Sequence, residues 1–222
     1  MANGGGGGPR WLDVDADRIE RWLADFSARH GPTVTTTDAE RTVVTLRAAT
    51  GSVAECHVPF PPLARGSSGS GAELAAHAAA DRTVGVLLVR LGGYAAGVFS
   101  GTPPRLSASR VGSRLVHGRS AAGGQSQQRF ARRREKQAHE ALAAAADCAV
   151  AVFGHYAGRL DAVVLGGDKR AVTALRDDPR LRQFFDLAVD RFLTVPDPRL
   201  AVLRGTPRQF RAVRIRLTEP GG

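Results

Sequence analysis

The chain of 222 residues contains only two cysteines, Cys56 and Cys148, and neither stands in a Cys-x-x-Cys pair or beside a histidine at ligand spacing. That excludes a disulfide framework and a zinc site as expectations, and it favours a reducing, cytoplasmic setting. Lysine is nearly absent, with Lys136 and Lys169 the two lysines among 31 basic residues. Long apolar runs are missing as well. The best candidate, ALAAAADCAVAVF at 141–153, is short and interrupted by Asp147, so neither a membrane span nor a secretion signal is expected. No internal repeat, helix-turn-helix or finger signature is visible.

What is present is a globular composition, 43% hydrophobic and 23% charged, with a formal charge of +10. The charge is uneven. Residues 105–136 carry nine basic side chains against one acid, Glu135, and residues 198–218 carry six arginines and no acid. The rest of the chain is net acidic. A positive field confined to two segments is what a polyanion-binding surface requires, although a solvated basic face gives the same count.

Residues 1–8, glycine-rich, are expected to be a disordered tail, followed by one domain over 9–219. Apolar residues at helical spacing (Val14, Ile19, Trp22, Leu23, Phe26) predict a helix over 13–29, stopped by His30-Gly31-Pro32. VTTTD, RTVVTLRA and SVAECHV predict three strands. The Pro, Ser and Gly content of PPLARGSSGSGAE predicts a mobile loop at about 63–73. Its GSSGSG lacks the Lys-Ser/Thr of a phosphate loop. TVGVLLVRLGGYAAGVFSG predicts a hairpin, with a third strand following within RLSASRVGSRLV and ending at His117.

A second mobile loop is expected at about 117–126, ahead of a long helix from about Ser126 to Gly154. At 100° per residue, Arg129, Arg132, Arg133 and Lys136 share one face of that helix, and Ala138, Leu142, Ala145, Ala149 and Phe153 lie opposite. RLDAVVLGGDKRAVTALRD then predicts strand, turn and helix, with Asp168 as N-cap rather than part of a phosphate site. FRAVRIRLTE predicts a closing strand with Arg211, Arg214 and Arg216 on one face, which extends an RNA surface or forms a solvated edge. Together these predict an α/β fold with a mixed β-sheet and flanking helices.

In HGRSAAGGQSQQ, Gly123 and Gly124 permit backbone at positive φ against a crowded surface and present Gln125 at a tip. The Gln125 amide has donors and an acceptor but no useful pKa, so it orients a water or stabilises developing charge rather than acting as a base. Such a loop is a poor active site by itself and a workable one inside another molecule's cavity. His117 is either a base for cleavage of an RNA backbone or a histidine that ends a strand or touches phosphate. His139 and His155 read as structural.

RSAAGGQSQQRFARRREKQAHEAL and LDAVVLGGDKRAVTAL resemble the glutamine loop, basic helix and strand-turn-helix of the Vms-like release factor family, of actinobacterial type. That family is related to the middle domain of eukaryotic and archaeal class I peptide chain release factors. The resemblance covers roughly residues 115–178 and implies an RNase H-like fold. It also implies cleavage of peptidyl-tRNA in the peptidyl transferase centre of the large ribosomal subunit, with no cofactor or metal. In that reading Gln125 is catalytic, with Gly123 and Gly124 shaping the loop. Arg119, Arg129, Arg132, Arg133, Arg134 and Lys136 contact ribosomal RNA or tRNA phosphates, and His117, Gln127 and Gln128 are auxiliary. The length leaves no room for stop-codon-reading domains or for the zinc-finger and ankyrin regions of eukaryotic relatives, so rescue of stalled chains is expected. The chemistry is either ester hydrolysis or cutting near the CCA end. A non-catalytic RNA- or ribosome-binding protein is the alternative.

Overall fold

The computed structural model describes residues 8–64, 70–90, 92–113 and 126–220, with only the backbone for 126–131 and 134. The α/β class with a mixed sheet and flanking helices, expected from the sequence, holds. The chain divides into two compact units, 1–80 with 208–222, and 81–207.

In the first unit, five antiparallel strands run in the order β1 (Arg10–Val14), β10 (Val213–Thr218), β4 (Val53–His57), β3 (Val43–Ala48) and β2 (Thr33–Thr37). Alternation along them sends Val44, Leu46, Ala54, Cys56, Val213 and Ile215 to one face. There they pack with Ile19, Leu23 and Phe26 of helix α1 (Ile19–His30) and Leu74 and Ala78 of helix α2 (Gly71–Ala79). Burial pushes the Cys56 thiol up to about 12, so it is an inert core group.

The strands β2, β3 and β4 match the sequence expectation, but two elements correct it. The apolar pattern assigned to a helix from residue 13 conceals a strand, β1, before α1 begins at Ile19. Val14 belongs to the strand and packs from there onto the same core. The loop expected at 63–73 is bounded by ordered structure at both ends. Leu63 is buried, and Ser70 caps α2. The Ser70 hydroxyl accepts from the Glu73 amide at 3.3 Å, and the Glu73 carboxylate accepts from the Ser70 amide at 2.9 Å, a reciprocal capping box. The rest of that loop and the tail expected at 1–8, apart from Gly8, lie outside the described residues.

The second unit carries the mixed sheet, in the order β7 (Arg105–Ser113), β6 (Gly93–Ser100), β5 (Val84–Arg90), β8 (Ala162–Gly167) and β9 (Ala188–Leu193). The first three are antiparallel, and β8 and β9 run parallel to β5. The predicted hairpin is β5–β6, turning through Gly92 at φ 89°. Helix α3 (Ser126–Phe153) crosses this sheet, and α4 (Lys169–Ala174) follows β8. Asp168 caps α4 as expected, accepting from the Arg170 and Ala171 amides. Gly167, at φ 103°, leaves no room for a side chain beside the Val89 carbonyl. Helix α5 (Arg182–Phe185) is a single turn.

Helix α6 (Leu200–Arg211) was not anticipated, because Pro207 lies within it. Proline has no amide to give the Leu203 carbonyl four residues back, and the buried Thr206 hydroxyl donates to that carbonyl instead, at 2.7 Å. Arg211 is accordingly not on the closing strand. It ends α6 and donates to the Ala79 carbonyl at 2.9 Å. Arg214 and Arg216 do share one face of β10.

Candidate nucleic-acid interface

Helix α3 has two unlike halves. From Ala145 onward it buries Ala145, Ala146, Cys148, Ala149, Val152 and Phe153 in one core with Leu87, Ala96, Val98 and Val163 of the sheet. The Phe153 ring meets Phe184 edge-on at 5.3 Å. The Cys148 thiol donates to the Arg110 carbonyl of β7 at 3.4 Å and fixes the helix against that edge strand. Arg180 ties the same half down from outside, pairing at 2.8 Å with Asp147 and at 2.7 Å with Asp178. The hydrogen bond from Arg180 holds the Asp178 carboxyl below its ordinary range.

The preceding half buries none of its described residues. Arg132, Arg133, Glu135, Lys136, His139 and Glu140 are exposed, while Ala138 and Leu142 are half-buried along the continuation of the apolar stripe. At 1.5 Å per residue, the 22 residues ahead of Cys148 make about 33 Å of helix. Only three residues of β7 follow Arg110, about 10 Å of strand. Among the described residues, most of the basic half therefore has no strand beside it. Lys136 lies 3.9 Å from Glu140, but both are so exposed that the pair adds little. Arg105 and Arg110 of β7 are exposed too and add to the positive charge of this unit.

The candidate residues fall into three groups. Arg132, Arg133 and Lys136 are exposed on one face of α3. Gln127, Gln128, Arg129 and Arg134 are placed on α3 by backbone alone. His117, Arg119, Gly123, Gly124 and Gln125 lie outside the described residues, between the end of β7 at Ser113 and the start of α3 at Ser126. The structure brings the ends of that segment to an edge strand and a basic helix.

Among the described residues no group of His, Cys, Asp or Glu is arranged to hold a metal. The cavity between α3 and the sheet, lined by Leu87, Phe153, Val163 and Phe184 among others, offers no polar group to a substrate. No helix among the described residues is long and apolar enough to cross a membrane.

This arrangement of mixed sheet and half-anchored basic helix lies within residues 82–216, which match the Actinobacteria/chloroflexi VLRF1 release factor family, acVLRF1. The chain belongs to that family. As a VLRF1 release factor it acts in peptide release or rescue, and the family implies interaction with the ribosome and peptidyl-tRNA. Residues 1–81 lie outside the family match. Among solved structures, the chain is similar to the "Vms1 mitochondrial localization core", with 8% identity, a TM-score of 0.43, and coverage of 78% of this chain and 75% of that one. It is also similar to an archaeal translation termination factor, aRF1, with 11% identity, a TM-score of 0.44, and coverage of 93% and 68%. No curated protein sequence matches.

The sequence showed only part of one surface, the shared strand face of Arg214 and Arg216. The face of the first unit's sheet opposite α1 and α2 also carries Trp11, Asp13, Arg47, Glu55 and His57. The alternation Trp11-Leu12-Asp13-Val14 was the available signal, obscured because Val14 also fits the helical spacing that follows.

Proposed function

We propose that this VLRF1 chain cleaves peptidyl-tRNA on the large ribosomal subunit to free stalled nascent chains. The observation that carries the reading is the division of α3: its apolar half is locked into the core, while its exposed basic half directly follows the Gly-Gly-Gln segment. Arg132, Arg133 and Lys136 neutralise phosphates of ribosomal RNA or tRNA without reading sequence, and so position what precedes them. Arg119, Arg129 and Arg134 extend the same role.

Gln125, with Gly123 and Gly124 shaping its backbone, then meets the bond between peptide and terminal ribose. In one version, water attacks the ester carbonyl, and the Gln125 amide holds that water or the departing hydroxyl while the surrounding RNA supplies the rest of the electrostatics. In the other, a ribose 2′-OH near the CCA end gives its proton to His117 and attacks the adjacent phosphorus, forming a 2′,3′-cyclic phosphate and breaking the bond to the 5′-oxygen, which leaves as a hydroxyl after taking a proton. Gln127 and Gln128 are auxiliary in both.

The test is Gln125→Ala on purified stalled complexes. Release is expected to disappear while ribosome binding stays near normal, and unchanged release rejects the reading. The tRNA 3′ end separates the two chemistries: an intact CCA means ester hydrolysis, and a shortened one means backbone cleavage. If no turnover occurs and charge reversal of Arg132 and Arg133 abolishes a salt-sensitive association, the chain is a binding module instead.

A further inference from the structure

The first unit buries one face of its sheet under two helices, and the other face stays in solvent with an unusual set of side chains. Trp11 is 47% exposed even though the Arg214 guanidinium lies 4.4 Å from its ring centroid and the His57 ring lies 5.2 Å away. Strand register sets Arg216 beside Trp11 and against Glu55, whose carboxylate accepts from it at 3.1 Å. Arg47 is exposed one strand further on.

Large exposed apolar side chains are sparse on this face: Trp11 and Val34 are the two among the described residues. A protein partner docking by apolar burial would find little to bury. An exposed aromatic ring with a guanidinium over it, Arg216 one strand away and Arg47 three strands away, is suited to a different ligand. Bases stack on the ring and the guanidinium, and the phosphates between them meet Arg47 and Arg216. Partial burial lowers the His57 pKa, with Glu55 opposing it and Arg214 adding to it, which favours the neutral, stackable ring.

We propose that this open sheet face, centred on Trp11 and Arg214, is a second RNA-binding surface that takes an unpaired stretch of ribosomal RNA. The assignment to ribosomal RNA rests on the function proposed above, in which residues 117–136 take the tRNA end. The stacking surface itself is independent of that reading. Most of the platform lies outside the matched family region, since Trp11, Arg47, Glu55 and His57 all precede residue 82.

The test uses the full chain carrying Arg132→Glu and Arg133→Glu, which suppresses RNA binding by α3, and a fluorescently labelled single-stranded oligoadenylate. Binding is read by anisotropy. Trp11→Leu is expected to weaken it by about tenfold, the loss of one stacked base, while Trp11→Phe largely keeps it. Arg214→Ala is expected to weaken it in the same direction, and a duplex of equal charge should not respond to Trp11→Leu. Trp11 lies on an edge strand and is half-exposed, so these variants should fold, and their thermal transitions check this.

If the parent fails to bind the single strand, or Trp11→Leu binds as well as the parent, the surface is overturned. A photo-crosslinking residue at position 11, on ribosomes shown by pelleting to hold the chain, should label ribosomal RNA. Labelling of tRNA or protein, or no label, overturns the source. Gln125→Ala should leave oligonucleotide binding intact, so failure of the release reading and failure of this one give different results.

Discussion

The two halves of α3 share one backbone conformation and differ in what their side chains face. The C-terminal half is alanine, valine and phenylalanine pressed onto a sheet, and its stability comes from burial. The N-terminal half has exposed arginines and no described buried residue, so as an isolated segment it would be marginal. It is helical because the buried half nucleates it. A helix built this way is a rigid lever, anchored at one end, that carries charge away from the core. In the function proposed above, that lever is what presents the segment preceding it to RNA.

The comparison is tested most severely at the anchor. Phe153→Ala removes a fully buried ring beside Phe184 and is expected to cost about 3–5 kcal/mol in urea denaturation. A loss under about 1 kcal/mol would mean that the anchor is not where the burial lies.

The cap of the neighbouring helix comes next. Asp168→Ala leaves the Arg170 and Ala171 amides without their acceptor and should cost about 1 kcal/mol, measured the same way. Asp178→Ala, which removes one partner of the arginine bracing α3, should cost less, and its effect should depend on pH. The folded-state pKa of Asp178 lies below its ordinary value of 3.8, so its contribution is present above about 3.8 and fades as pH falls further. The gap between variant and parent should therefore close in acid. A gap that widens on acidification would reverse the assignment.

The smallest stability effect is expected in the exposed half. Arg132→Ala with Arg133→Ala should change unfolding by less than about 0.5 kcal/mol, because neither side chain is buried. The same double variant should weaken ribosome association and lower its salt slope by about two. A large loss of stability with unchanged association would invert the proposed division of labour.

Much of the second unit was legible in the sequence. The helix from Ser126, the Gly92 hairpin and the Asp168 cap are local, since each depends on residues within a few positions of one another. What escaped was set by distant partners. RWLDV is a strand because β10 pairs with it from the far end of the chain, at Trp11↔Arg216 and Asp13↔Arg214, and nothing beside residue 11 announces that. Helix α6 survives Pro207 because Thr206 satisfies the carbonyl that proline leaves open, a compensation that no propensity scale contains. The helix at 71–79 was signalled by Ser70 and Glu73, but the surrounding Gly and Ser outweighed that signal.

By itself the sequence determined the order of glycine, glutamine and arginines ahead of an amphipathic helix, because helical periodicity and loop composition are written over neighbouring residues. Only the tertiary structure decided which half of that helix is held, which arginines share a sheet face with Trp11, and that the chain's two ends complete one sheet. Those outcomes depend on contacts between residues about 200 positions apart, such as Asp13 with Arg214. Burial and strand register choose among such pairings, and neither exists until the chain has folded.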